Sequence, residues 1–202
     1  SSDLFAESAD DRERVAAEAD AARGLGLPAA FVEEIPLPGR TYGAVRFADQ
    51  AQFHPRSYLL HLASLVPEAG SRIFEKTRAL AVEDEKGSCR VRTENGTVTA
   101  RVVVLATHYP FYDGPGFYYA RMEPSRSYVL GVRLDEPFPD GMFINAAGPA
   151  HSWRSQPADG GELVFVGGMQ HRTGEDTDTR EHYRSLEAYA RSVYPLRSVD
   201  YR

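Results

Sequence analysis

A run of five apolar residues, Val102-Val103-Val104-Leu105-Ala106, constrains this chain more than any other stretch. Successive valines favour extended backbone over helix, because a branched Cβ is stiff against the preceding helical turn. The run does not alternate with polar residues. The pattern therefore predicts a strand buried on both faces, the kind found in parallel sheets. Open α/β sheets bind ligands beyond the carboxyl ends of such strands. That end here is Ala106-Thr107-His108, which offers a small residue, a hydroxyl and backbone amides. The same pattern also fits a core strand that leaves into a loop.

The segments before the run favour the sheet reading. Arg72 to Glu75, Arg78 to Glu83 and Cys89 to Thr93 read as short strands. Glu94-Asn95-Gly96-Thr97 reads as a hairpin turn, because Asn-Gly tolerates the positive φ angles of a type I′ turn. A small meander thus feeds the apolar run.

Together these residues resemble a known family. Ile73-Phe74-Glu75-Lys76-Thr77, Ala81-Val82-Glu83, the Asn-Gly hairpin and Val102 to Thr107 occur in the order seen in flavin-dependent amine and amino-acid oxidases. This is the superfamily of D-amino-acid oxidase, glycine oxidase and sarcosine oxidase. The resemblance implies FAD as cofactor and a meander inserted in a Rossmann-like flavin domain. It places Ala79 at the adenine end through its backbone, and Ala106, Thr107 and His108 at the turn beside the flavin. His108 departs from the family, which has glycine there.

Length and composition agree with a globular domain. The chain has 202 residues, 42% hydrophobic and 26% charged, enough for one sizeable core or two small ones. A net charge of −6 without a basic stripe argues against nucleic acid as a partner. No run is long enough to span a bilayer, and no polybasic cluster points to a membrane surface. The start at Ser1-Ser2-Asp3 shows no signal peptide. A single cysteine, Cys89, excludes an internal disulfide and fits a reducing, cytoplasmic compartment.

Along the chain, Ala9 to Arg23 reads as a charged helix capped by Ser8, and Leu27 to Gly39 as an extended connection. Ala44 to Phe47 reads as a strand. Pro55 opens a helix in which Tyr58, Leu59, Leu62, Leu65 and Val66 recur at helical spacing, which predicts a well-buried element. His54 and His61 lack a third ligand nearby, so no metal site is expected. Tyr109 to Tyr119 is dense in aromatics and glycines, fit for a lid, a pocket wall or a packed loop. Pro124 to Leu134, Met142 to Asn145, Ser152 to Gln156 and Glu162 to Val166 read as antiparallel strands joined by Gly-rich turns. A last helix from Asp178 ends before Pro195, and the final residues look like a strand beginning.

The expected fold class is α+β: an antiparallel substrate-binding sheet with flanking helices, plus a β-meander and one strand of an FAD-binding domain. The expected organisation is a helical segment over 1–70, part of the flavin domain over 71–109 and the substrate sheet over 110–202. No GxGxxG loop occurs, so the pyrophosphate cradle of the family is missing. The chain is therefore expected to be an internal fragment of a flavoprotein, inactive and without retained FAD by itself. The expected reaction of the parent is oxidation of a C–N bond in a small-molecule amine or amino acid. On the substrate side the candidates are Trp153 and Arg154, on opposite faces of one strand, and the resemblance adds Tyr128, on a strand that the family turns toward the substrate. Arginine would clamp a carboxylate bidentately and tryptophan would wall an apolar group. An exposed Arg beside a core Trp is the structural alternative. The other functional reading is a non-catalytic binding or interaction module using the aromatic loop 109–119.

Overall fold

The computed structural model describes residues 1–68, 70–112, 116–175 and 178–202. The chain forms two compact units, one of residues 1–51 with 124–202 and one of residues 52–123. The fold is α+β.

The larger unit is built on one eight-stranded sheet. In chain order its strands are β1 (Ser2–Phe5), β2 (Ala29–Val32), β3 (Ala44–Phe47), β7 (Ser125–Leu134), β8 (Met142–Asn145), β9 (Ser152–Ala158), β10 (Gly161–Arg172) and β11 (Leu196–Tyr201). Their order across the sheet is β11-β7-β10-β9-β8-β1-β3-β2. Strands β7 to β10 are antiparallel, as the turn-rich sequence predicts. The sheet continues past them because β1 adds to β8 in parallel. Residues 1–51 thus supply three strands of this sheet and are not a helical segment. Four-residue strands such as β1 and β2 carry too little periodicity to announce themselves.

Side chains alternate between two faces. One row, read across register partners, runs Asp3, Phe143, Trp153, Val166 and Leu130. These residues are buried, and Phe143, Trp153, Val166 and Leu130 form the main core with Leu186 and Ala190 of α3 (Thr179–Val193). The Asp178 side chain caps that helix on the Arg180 amide. Asp3 is tolerated in this row because Arg46, its partner on β3, grips both carboxylate oxygens at 2.6–3.1 Å. The opposite face is covered at the β1-β3-β2 end by α1 (Ala9–Gly24), whose Val15, Ala19 and Ala22 pack with Val45. The rest of that face, over β8, β9, β10 and β7, lies open: Ile144 and Val129 are exposed there.

The smaller unit contains α2 (Pro55–Glu68) and a three-stranded meander of β4 (Ala79–Glu85), β5 (Ser88–Thr93) and β6 (Gly96–Ala100). The hairpin is present, but its two loop residues are Glu94 and Asn95, since Thr93 pairs with Gly96. Gly96, at φ 148°, closes the turn, and Asn95 has no positive φ, so the type I′ geometry is replaced. Thr93 instead accepts the Asn95 amide on its hydroxyl. Residues 72–75 form no strand.

Two expectations fail here. The apolar run 102–105 is in no sheet, and Val102 and Val104 are 75% and 81% exposed. Helix α2 has no buried residue, and its Tyr58, Leu59, Leu62 and Leu65 are exposed. Both segments carry the apolar residues of buried elements, but burial requires a partner surface, and none among the described residues covers them.

Candidate functional site

The turn that ends the apolar run has an unusual backbone. His108 adopts φ 62°, a left-handed conformation that costs a side chain with a Cβ. The Tyr109 amide donates to the Thr107 carbonyl at 2.6 Å, and the Thr107 hydroxyl donates to the Tyr109 carbonyl at 2.9 Å. The residue type departs from glycine, but the backbone holds a conformation that glycine favours. A depression of about 470 Å³ lies beside this turn, lined by Arg78, Ala79, Leu80, Thr107 and Phe111. The fold therefore brings Ala79 and Thr107 together, although 27 residues of meander and apolar run lie between them. Ala106 and His108 flank Thr107 on the exposed side of the chain.

The three substrate-side candidates separate onto two faces of the large sheet. Trp153 is 1% exposed, packed in the core against Phe138 and Tyr194, and its indole N–H donates to the Tyr189 hydroxyl at 3.3 Å. Tyr128 lies on the same covered face, stacked on His182, with its hydroxyl 3.0 Å from His171 Nε2. A β-bulge between Gly168 and His171 makes that contact. The extra residue shifts the side-chain parity of β10, so that His171 and not Gln170 faces Tyr128. Arg154 alone points to the open face.

There Arg154 stands with its guanidinium carbon 5.7 Å from the centre of the Phe165 ring, within cation–π range. Its guanidinium makes no ion pair or hydrogen bond among the described residues. Two register rows form the surface around it. The first is Met142, Arg154, Phe165 and Gly131; the second is Ile144, Ser152, Gly167 and Val129. All of these but Gly131 line a concavity of about 240 Å³. That volume is below a drug-sized pocket and suits a small metabolite. The surface is apolar apart from the Arg154 cation and the Ser152 and Ser2 hydroxyls.

Sequence reasoning missed one buried group on the covered face. His151 is buried, with neither ring nitrogen hydrogen-bonded among the described residues and its ring centre 3.6 Å from that of Tyr189. Burial pushes its pKa below the ordinary 6.5, opposed by the nearby Glu7 carboxylate. Burial raises the Tyr189 phenol and pushes Tyr194 up to about 12. Nothing about a His-Ser-Trp sequence signals burial of its first residue; only the register of β8 and β9 does.

The aromatic loop exposes Tyr109, Phe111, Phe117, Tyr118 and Tyr119, while residues 113–115 of that predicted lid lie outside the described residues. No helix is long and apolar enough to cross a membrane, and no cluster of metal-ligating side chains occurs among the described residues.

Comparison with known proteins decides the family. Residues 4–202 match the family model described as FAD dependent oxidoreductase. The chain belongs to that family. Among curated relatives, the putative Rieske 2Fe-2S iron-sulfur protein YhfW of Bacillus subtilis (strain 168) is 31% identical over 189 residues, covering 94% of this chain and 37% of that protein. The probable oxidoreductase OrdL of Rhizobium meliloti (strain 1021) is 27% identical over 121 residues, 59% of this chain and 24% of that protein. Among solved structures, glycine oxidase from Geobacillus kaustophilus superposes with a TM-score of 0.73 at 19% identity, covering 96% of this chain and 54% of that one. L-proline dehydrogenase from P. horikoshii gives 0.71 at 16% identity, covering 96% and 55%. These structures share the fold, and the chain spans little more than half of each and a smaller part of the curated relatives.

Proposed function

We propose that this chain is the substrate sheet and part of the flavin domain of a longer FAD-dependent oxidoreductase that oxidises the C–N bond of a small amine or amino acid. The observation that carries this reading is the open face: an arginine over an aromatic ring, with no ion pair among the described residues, on a largely apolar sheet surface, in a member of a flavoenzyme family. The names glycine oxidase and L-proline dehydrogenase support an amine-bearing carboxylate as substrate class.

The residues present fit one edge of FAD. Ala79 and Thr107 line one depression, and the His108 turn leaves backbone groups exposed beside it. A pyrophosphate cradle is not among them, so the chain by itself is expected to be colourless and inactive. Bound flavin would supply the two-electron acceptor. The chain's own residues would clamp the carboxylate at Arg154 and keep the reacting carbon in an apolar, water-poor setting. The exposed apolar sides of α2 and of residues 102–105 are the surfaces that the remaining flavin domain would cover. A Rieske cluster does not fit this chain: it needs two thiolates and two imidazoles, and Cys89 is the one cysteine.

Arg154→Ala in the full-length flavoprotein tests the reading. Losing a charge-assisted bidentate contact costs about 1.5–3 kcal/mol, so KM for a carboxylate-bearing amine should rise roughly 10- to 150-fold. Arg154→Lys should recover only part of this, because an ammonium cannot make the planar fork. Flavin content should stay unchanged. An unchanged KM for every active substrate would remove Arg154 from the site.

A further inference from the structure

The two rows of the open face differ in relief. In the row of Arg154, every position is filled: even Gly131 is roofed by Tyr201, whose ring carbon would lie 2.9 Å from a Cβ built there. In the next row, Ile144 and Val129 stand at the ends and Ser152 and Gly167 form the low middle. A Cβ added at Gly167 would meet the Ser152 Oγ at 2.7 Å. Gly167 is not in a left-handed conformation, so its backbone does not demand glycine. What its missing side chain provides is space. Ser152 is half-buried, and its hydroxyl has no partner among the described residues. Arg154 lies two residues along the same strand, about 7 Å away on the same face.

We infer that the notch made by Gly167 and Ser152 between Ile144 and Val129 is the specificity pocket of this face, and that it receives the apolar branched or cyclic side group of a carboxylate-bearing amine. This rests on the reading of the open face as the substrate site. A carboxylate held at Arg154 leaves the rest of a small amino acid to span one step of the strand, which ends in the notch. The walls there are aliphatic, so burial of an apolar group is rewarded. The floor hydroxyl leans toward Gly167, and the other atoms nearest that position lie 3.9 Å or more away. Glycine or N-methylglycine would leave the notch empty.

The test uses the full-length flavoprotein with an artificial electron acceptor and four probes: glycine, N-methylglycine, proline and leucine, the last two in both enantiomers. The wild type should turn over proline or leucine with a kcat/KM at least equal to that for glycine. Gly167→Ala should lower the ratio of kcat/KM for that probe over glycine by roughly 10- to 200-fold, the range for one methylene-sized change in an apolar pocket. Gly167→Ala alone meets the Ser152 hydroxyl, so the Ser152→Ala/Gly167→Val pair is made beside it. The pair removes the clash, adds more volume than the lost hydroxyl took up, and should show the same fall in ratio with wild-type flavin content. A wild type active only on glycine and N-methylglycine, or a pair variant with wild-type ratios, overturns the inference while the Arg154 clamp stands. A wild type that turns over none of the probes overturns the reading of the face and the inference with it.

Discussion

The larger unit buries its own apolar residues, and the smaller one does not. Leu130, Val166, Phe143 and Trp153 are sealed between sheet and α3, whereas Leu59, Leu62, Val102 and Val104 lie exposed. Yet the two sets look alike in sequence: each is a run or stripe of aliphatic residues at the spacing of a buried element. What differs is the second surface. The inner strands β7 and β10 have neighbours on both edges and α3 packed on them; the run 102–105 has neither among the described residues. Periodicity therefore reports what an element could bury, and only topology decides whether it does.

The largest test of this contrast is one leucine removed from each unit. Leu130→Ala should cost about 2–5 kcal/mol, because it deletes fully buried methyl groups and leaves a cavity. Leu62→Ala, at an exposed position, should stay within about 0.5 kcal/mol. Trp153 is the sole tryptophan and sits in the larger core, so urea melts followed by its fluorescence read the first variant directly. Far-UV circular dichroism reads the second. Comparable losses would mean that α2 is packed after all.

A smaller effect is expected at Gly168. A Cβ there would meet His151 Cδ2 at 2.7 Å, Leu186 at 3.1 Å and the Ala150 carbonyl at 3.2 Å. Gly168→Ala should therefore destabilise the larger unit by about 1–3 kcal/mol through overpacking. No glycine of the smaller unit's meander meets such a wall: Gly87 and Gly96 face open space, although their positive φ angles still disfavour a side chain. A fluorescence melt unchanged by Gly168→Ala would show that the core near the bulge is loose.

The smallest effect is a pH dependence confined to the larger unit. His151 has a folded pKa below 6.5, so the unfolded chain binds the proton more readily. Its neutral form is favoured by folding above about pH 6.5, and stability falls as pH drops from there through the folded value. Glu187, lowered by its hydrogen bonds to Arg202 and Arg191, adds a loss only below its ordinary 4.5. His151→Phe, which keeps a ring on Tyr189, should flatten the fall in urea midpoint between pH 7 and 5.5. An equal fall in both proteins would assign it elsewhere.

Much of the large sheet was legible beforehand, and the reasons are local. Strands β7, β8 and β9 announce themselves by alternation and by Gly-rich turns, and α1 and α3 by side-chain caps at Ser8 and Asp178. Illegible were the features set by distant residues: the parallel seam of β1 with β8, the exposure of 102–105, and the burial of His151. For the candidate site, the Trp153–Arg154 alternation was readable, since neighbours on a strand must face opposite ways. Which face was open was not, because that depends on where α1 and α3 lie. Gly167 and Ser152 lie in stretches that the sequence places near the substrate sheet, but neither could be given a role, because a notch is made by register between two strands.

The seam between β1 and β8 also orders events in time. Ser2 pairs with Met142, with the whole smaller unit strung between them. During synthesis, β1, β3, β2 and α1 can assemble early, since their own cluster around Val45 and Val15 is local. At 5–20 residues per second, β8 then follows after a delay on the order of ten seconds. Throughout that interval β1 presents a bare edge, the template on which nascent chains aggregate. Asp3 lies in that strand, so its ion pair with Arg46, fully buried on the Asp3 side in the finished sheet, first stands as a polar group on an unfinished margin.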